Sequence, residues 1–340
     1  MNPNTTTETC AKATPLRDLK VNGKEMPWRE KKTANVGYYE LLELLNFKKA
    51  ERVADCGDIL EFKKNEEGRL KLARAWFCKS PLCPLCNWRK SMKRSAQTRI
   101  IVERVVREKP KARWLFLTLT VRNAIDGEHL DESLKAMAQG FNRLMKYKKV
   151  SKNMVGFMRS TEVTVNEKDG TYNQHMHVLL CVEPDYFKKS ANYINQKEWT
   201  SLWQKAMKLN YVPMVNVKAV KEKYDAKDAE TVRDALEGKA HAMQGAVAET
   251  AKYSVKDSDY LTGDNWRDMG VVRDLEQGLR RKRMVSYGGR MKVIHKELNL
   301  SDVENGDLVK VDESNEETEE KASSVFAWWH WQQQNYFLRK

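Results

Sequence analysis

The sequence is poor in residues that break regular structure and in segments that anchor a chain. Eight prolines and sixteen glycines in 340 residues exclude collagen-like and Pro/Gly-rich low-complexity architectures. There is no long Gly/Ser linker and no internal repeat, which excludes solenoids and propellers. The longest uninterrupted apolar runs are five residues, far short of the roughly 20 that a membrane span needs. The opening "MNPNTTTETC" has no positive segment ahead of an apolar one, as a secretory signal would. These absences predict a soluble, cytoplasmic protein in a compartment that keeps thiols reduced. Its six cysteines are then expected as metal ligands, reactive groups or core residues rather than disulfides.

Charge, by contrast, is in excess. Lysine and arginine outnumber aspartate and glutamate 61 to 47, a net of +14. Nine acids and one lysine fall between Asp302 and Glu320, which leaves about +22 on the remainder. Such a surplus favours a polyanionic partner, nucleic acid foremost; ribosome-like and membrane-surface proteins share the signature. The segment Trp88 to Arg107 reads as a basic helix stopped before Pro110. Its Arg89, Lys90, Lys93 and Arg94 are candidate phosphate contacts, as are Arg280, Arg281, Lys282 and Arg283 further on. An ordinary solvated face explains either cluster as well.

The middle of the chain switches between two periods. In "RWLFLTLTV", Leu115, Leu117, Leu119 and Val121 alternate with Phe116, Thr118 and Thr120, which is strand patterning. Leu130, Leu134, Met137, Phe141 and Leu144 then recur at spacings of four and three, one face of a helix. "GFMRSTEVTV" (156–165) and "QHMHVLLCV" (174–182) read as a hairpin around 166–173. A helix over 196–209, a strand over 212–220 and a long helix over 228–257 follow. The order β-α-β-β-α-β predicts an α+β fold with a ferredoxin-like antiparallel sheet backed by helices. A further helix is expected at "YYELLELLNF" (38–47). The acidic stretch 302–320 reads as disordered or as a spacer. The tail "SVFAWWHWQQQNYFLRK" has three readings: packing on the core, docking on a partner, or stacking on bases, with the first two favoured.

Cys56, Cys78, Cys83 and Cys86 lie within 31 residues. A Cys-x-x-Cys pair with two further cysteines nearby suits structural Zn²⁺ held tetrahedrally by four thiolates. Buried unliganded thiols and a redox pair are the competing readings. Cys181 reads as a core residue.

His175 and His177 are two residues apart in a strand and therefore share a face. Pairing across the hairpin turn can bring Glu162 to that face. Two imidazoles and a carboxylate with open positions suit Mg²⁺ or Mn²⁺ acting on a phosphate. Zinc hydrolysis is disfavoured because the chain contains no HExxH. In "GAVAETAKYSVKDSDY" (245–260), a helix would place Glu249, Tyr253 and Lys256 on one stripe. Tyrosine can attack a phosphate in line and become covalently joined to it; a carboxylate can activate water for a second step. An amphipathic helix with a Glu/Lys stripe is the plainer explanation. Tyr260 is a rival nucleophile, set beyond the acids of "DSD".

"FLTLT", "QHMHVLL" and "ETAKYSVKDSDY", in this order, resemble the three motifs of rolling-circle plasmid replication initiators of the HUH endonuclease superfamily, in the group with one catalytic tyrosine and a glutamate. "CGDILEF", "FCKSPLCPLCNWRKS" and "YGGRMKVIHKELNL" extend the resemblance over roughly residues 50–300. It implies a DNA endonuclease and strand transferase, a site-specific, metal-dependent nickase at the double-strand origin. Tyr253 would be joined to the 5′ end while the 3′-hydroxyl primes synthesis. Glu249 would direct water at termination and Lys256 would orient phosphate. His175 and His177 would be metal ligands with Glu162 as the third. It further implies origin DNA, nicked in single-stranded form, and a host helicase with its replication machinery as partners; self-association is left open. The expected division is an N-terminal segment (1–50), a four-cysteine zinc region with its basic helix (51–110), an endonuclease domain (111–262), a basic extension (263–301), and an acidic spacer with aromatic tail (302–340). The alternatives are a non-enzymatic, zinc-containing DNA-binding plasmid maintenance protein and a related relaxase or transposase.

Overall fold

The computed structural model describes residues 14–20, 22–220, 243–252, 254–311 and 323–339. In chain order the elements begin with β1 (Thr14–Pro15), α1 (Trp28–Leu44), α2 (Ala50–Ala54), β2 (Ile59–Lys64) and β3 (Leu70–Ala75). Next come α3 (Pro84–Glu108), β4 (Arg113–Thr120), α4 (Gly127–Lys146), α5 (Lys148–Ser151), β5 (Met154–Val165) and β6 (Tyr172–Val182). Then follow α6 (Gln196–Met207), β7 (Val215–Ala219), α7 (Gln244–Thr250), α8 (Asn265–Gly278) and β8 (Val285–Gly288). The last are α9 (Gly289–Glu297), β9 (Ser323–His330) and β10 (Asn335–Arg339). The chain divides into two compact units, residues 91–306 and residues 1–90 with 307–340.

The 91–306 unit is built on a sheet of order β7-β4-β6-β5-β8, antiparallel at every pairing. Its first four positions carry the expected β-α-β-β-α-β connection, the ferredoxin-like arrangement, with β8 added at an edge. Alternation gives the sheet two unlike faces. Leu115, Leu117, Leu119, Met176, Val178 and Leu180 point to the side of α4 and α6, where Met137, Phe141, Leu144, Trp199 and Trp203 close the core. Both helices start at side-chain caps. Asp126 accepts from the His129 amide at 2.8 Å, and Asn195 and Glu198 form a reciprocal capping box.

On the opposite face, Trp114, Met158, Leu179 and Cys181 pack against Ile101, Val102 and Val105 of α3 and against Met291 and Ile294 of α9. Cys181 is thus a core residue, as its setting predicts. Gly289 lets β8 meet β5 closely: its φ is +56°, and a Cβ there would lie 2.5 Å from the Val155 carbonyl oxygen.

The long helix expected over 228–257 is different. Residues 221–242 lie outside the described residues, and α7 ends at Thr250. Tertiary contacts stop it. The Ser91 hydroxyl donates to the Ala251 carbonyl at 2.8 Å, and the Val163 amide donates to the Ser254 carbonyl at 2.8 Å. Lys256 follows in extended backbone (φ −80°, ψ 142°), so it is not on a helical stripe with Glu249.

The other unit contains a sheet of order β1-β10-β9-β2-β3. The aromatic tail folds into it: β9 pairs with β2, and β10 with β9 and β1. Leu60, Phe62, Ala327, Trp329 and Tyr336 are its buried face, and Trp28 of α1 meets Phe62 edge to face at 5.8 Å. Residues 302–311 are not a loose spacer. Val303, Leu308 and Val311 are buried, because apolar residues are interspersed among the acids. Residues 312–322, the rest of the acidic stretch, lie outside the described residues, as does Cys10.

Phe141 is fully buried and meets Phe157 edge to face at 5.0 Å. Phe141→Ala should cost about 3–5 kcal/mol, read as a shift in the denaturant midpoint of the transition that unfolds the 91–306 unit.

Candidate metal centres

β4, β5 and β6 contribute polar side chains to one patch of the 91–306 sheet. Their register explains why. Glu162 pairs with His175 and Ser160 with His177, while Thr120 and Thr118 lie opposite the same two histidines on β4. Residues directly opposite share a face, so the pleat gathers them. The Nε2 atoms of His175 and His177 each lie 3.3 Å from Glu162 Oε2. His175 Nδ1 is 3.4 Å from the Asn173 carbonyl oxygen, and His177 Nδ1 is 3.4 Å from Thr118 Oγ1. These partners turn both Nε2 atoms toward Glu162, the orienting role that outer groups play around metal-binding imidazoles. Phe116 stacks on the His177 ring at 5.5 Å.

Burial pushes the Glu162 carboxyl up, but hydrogen bonds and charge from His175 and His177 outweigh it and hold the group well below the usual carboxylate range. The three ligand atoms lie within 4.8 Å of one another. Two nitrogens and a carboxylate oxygen gathered at this separation fit a divalent cation with coordination positions to spare.

Asp259 belongs to the same electrostatic neighbourhood. Burial raises its pKa, Lys256 opposes the shift and the charge of Glu162 adds to it. Its Oδ2 is buried without a hydrogen-bond partner. In the sequence the acids of "DSD" read as a repulsive cluster; a short turn, Asp257–Asp259, is what turns one of them inward. Glu249, half-buried in the last turn of α7, pairs with Lys252 at 2.5 Å. Lys256 is exposed. Tyr253 lies outside the described residues. Tyr260 is fully buried.

The second cluster is in the other unit. Cys56 follows α2, Cys78 follows β3, and Cys83 and Cys86 flank the start of α3, where Pro84 takes the first position. All four are buried. The Sγ separations are 3.6 Å for Cys56–Cys86, 3.7 Å for Cys78–Cys86 and 3.6 Å for Cys83–Cys56. A disulfide needs about 2.05 Å, whereas the edge of a tetrahedron with Zn–S bonds of about 2.3 Å is roughly 3.8 Å. The donor set therefore fits a closed tetrathiolate site.

Backbone amides of Cys78, Lys79, Ser80 and Cys86 point at these sulfurs at 3.2–3.5 Å. Burial drives the thiols of Cys56 and Cys86 well up. Cys83 resists its own burial and is held well below the usual thiol value by bonds from Cys56, Cys78 and Cys86. Gly57, at φ +68°, has no room for a Cβ, which would sit 2.3 Å from Leu85.

Two polar residues of α1 complete this cluster and escape a reading of the sequence. Asn35 donates to Cys83 Sγ at 3.4 Å and to the Val53 carbonyl at 3.1 Å. Lys32, fully buried, donates to the carbonyls of Ala54 (2.6 Å) and Cys56 (2.8 Å) and pairs with Asp58 at 2.5 Å. The available signal was their spacing: Trp28, Lys32, Asn35, Tyr38 and Leu42 make one helical stripe.

The basic residues are divided. Arg89, Lys90, Lys93 and Arg94 are all buried. Arg89 donates to the Leu308 and Val309 carbonyls at 3.0 and 2.6 Å and lies over the Trp28 and Trp88 rings. Arg94 pairs with Glu304 at 2.5 Å. The acidic stretch thus neutralises part of the basic helix within the protein. In the second cluster, Lys282 pairs with Asp131 and Arg283 with Asp302 at 2.8 Å. Arg280 and Arg281 are exposed.

Two antiparallel sheets with helices, one bearing a Glu-His-His group and the other a four-cysteine group, define an α+β protein with two candidate metal centres. The sequence profile of a family described as "Replication protein" matches residues 69–337. The chain is 49% identical over 323 residues to the "Protein rep" of Lentilactobacillus hilgardii, covering 95% of this chain and 98% of that one. It is 50% identical over 326 residues to that of Lactiplantibacillus plantarum, with the same coverage. To the "Protein rep" of Streptococcus pneumoniae serotype 2 (strain D39 / NCTC 7466) it is 42% identical over 327 residues, 95% of each. No solved structure matches it. The chain belongs to the replication-protein family, in agreement with its resemblance to plasmid replication initiators. Among the described residues no helix is long and apolar enough to cross a membrane.

The depressed carboxyl of Glu162 sets a pH dependence. A lowered folded pKa contributes stability above the unfolded value, near 4.5, and that contribution is lost as pH falls below it. Glu162→Gln should therefore lower the melting temperature at pH 7, and the gap from wild type should narrow as melts are taken below about pH 4.5.

Proposed function

We propose that the protein starts rolling-circle replication of a plasmid by nicking one strand at the double-strand origin, as an HUH-type endonuclease and strand transferase acting in the cytoplasm. What carries this reading is the convergence of Glu162, His175 and His177 on one face of an antiparallel sheet in a chain of the replication-protein family.

A divalent cation, Mg²⁺ or Mn²⁺, held by Glu162, His175 and His177 would offset the charge of the scissile phosphate. Tyr253 attacks phosphorus through its phenolic oxygen and loses its proton to a base. The bond from phosphorus to the 3′ oxygen breaks, that oxygen takes up a proton, and the 5′ phosphate stays on the tyrosine. The 3′-hydroxyl then serves as primer. Glu249 takes a proton from water for the hydrolytic step that ends a round, and Lys256, exposed near Asp259, steadies the phosphate. Host helicase and polymerase are the partners that such a nick requires. Arg280 and Arg281 are the cations best presented for contacts with the DNA backbone.

Cys56, Cys78, Cys83 and Cys86 hold Zn²⁺ in a structural role, supported by Sγ separations close to those of a zinc tetrathiolate. Elemental analysis of the purified chain should give about one zinc per chain, and Cys83→Ser should lose most of it, since three thiolates leave the tetrahedron open.

Nicking is tested with single-stranded oligonucleotides tiling the parent plasmid's origin, with Mn²⁺ or without added divalent cation, read by intact mass. Wild type should form a cation-dependent adduct that maps to Tyr253 and is absent from Tyr253→Phe. His175→Ala and His177→Ala should lower its rate at least about 10- to 100-fold, the loss that changes beyond the ligand shell already produce. Tight, specific binding without an adduct would instead support a non-enzymatic DNA-binding plasmid maintenance protein.

A further inference from the structure

The sheet formed by β1, β10, β9, β2 and β3 has an outer face that the nicking reaction does not use. Alternation separates it from the buried one. Ala327 and Trp329 point inward with Leu60 and Phe62, whereas Phe326 and Trp328 point outward and are each 40% exposed. Ile59, opposite Trp328 on β2, is 41% exposed. Phe337, opposite Trp328 on β10, meets His330 edge to face at 5.9 Å. Trp76, just past the end of β3, is 48% exposed. An open row of aromatic and aliphatic side chains therefore crosses neighbouring strands, a pattern that marks an interaction surface.

Cations border that row. Glu61 lies opposite both Phe326 and Arg74, and Arg74 extends from β3 into solvent with its side chain 86% exposed. Lys63 lies opposite Ser324 on one side and Lys71 on the other. The acid in these rows, Glu61, has a side chain only 16% exposed and faces Arg74 at 3.6 Å, with Ser324 Oγ donating to it at 3.2 Å. Phe326 and Trp328, two residues apart on one strand, stand about 7 Å apart.

We propose that this outer face is a second nucleic-acid site, which binds single-stranded DNA by stacking bases on Trp328, Phe326 and Trp76 while Lys63, Lys71 and Arg74 contact phosphates. Exposed aromatics beside lysine and arginine, with the acid covered, are the composition of a single-strand platform. A protein-binding core is depleted in lysine, and a duplex keeps its base faces stacked inside, out of reach of these rings. The site is independent of Tyr253 chemistry, so its success or failure leaves the nicking proposal untouched.

The test is fluorescence anisotropy of a labelled oligothymidylate, which lacks origin sequence, titrated with full-length protein without added divalent cation. Phe326→Ala with Trp328→Ala should weaken binding roughly 10- to 100-fold, with unchanged zinc content and melting temperature, because both rings point away from the core. Affinity for duplex DNA of the same length should change little. Lys63→Glu with Arg74→Glu should also weaken binding and flatten its salt dependence. Ultraviolet crosslinking of the oligonucleotide to wild type should label the 323–331 peptide, a readout that needs no variant. Unchanged oligothymidylate affinity in a folded double variant, an equal loss for duplex, or crosslinks confined to other peptides would each overturn the proposal. Conversion of a wild-type dimer to a monomer by the aromatic pair, with oligonucleotide affinity retained, would make the face a contact between copies of this chain and overturn it as well.

Discussion

The pairing register of β5 with β6 is the constraint on which the Glu-His-His centre depends. Glu162 meets the histidines because it stands opposite His175 and because Ser160 stands opposite His177. A slip by one residue would send Glu162 to the α4/α6 side and replace it with Thr161 or Val163. The register is held by what lies on the reverse of the same strands. Met176, Val178 and Leu180 must reach the core under α4 and α6, and that demand fixes the histidines on the opposite face. Packing on one side of the sheet thus sets the chemistry on the other.

The sheet face that bears this centre is divided along its length. At one end α3, α7 and α9 cover Met158, Leu179 and Cys181; further along the same strands come His177 and His175. Beyond that end, a carboxylate and two imidazoles sit nearly buried on the same strands. Desolvation there strengthens each electrostatic contact, which is why the histidines can hold Glu162 ionised despite its burial. Asp259 lies in the same neighbourhood, where burial and the charge of Glu162 push its carboxyl up against the opposing charge of Lys256.

The four-cysteine centre is built on a different plan. It is closed, hydrogen-bonded through backbone amides, and framed by Asn35 and Lys32 from α1. The C-terminal strands meet the same region: Tyr336 donates to the Gly57 carbonyl at 2.7 Å, one residue past Cys56. Residues separated by nearly the whole chain therefore support one metal-sized cluster.

Much of this was legible in the order of residues alone. Strand alternation from Leu115 to Thr120, the helical repeat from Leu130 to Leu144 and the cysteine spacing are local signals, and local periodicity dictates which side chains share a face. The hairpin brought Glu162 within reach of His175 and His177 for the same reason. What the sequence could not determine were matters of partnership. The end of α7 at Thr250 is imposed by Ser91 and β5, not by any breaker within "GAVAETAKYSV". Arg89 and Arg94 look like phosphate contacts until the Leu308 and Val309 carbonyls and Glu304 occupy them. The aromatic tail had three readings because a strand's alternation states which residues go together but not which sheet receives them. That choice belongs to tertiary structure, because long-range pairing is decided by the surface another part of the chain offers.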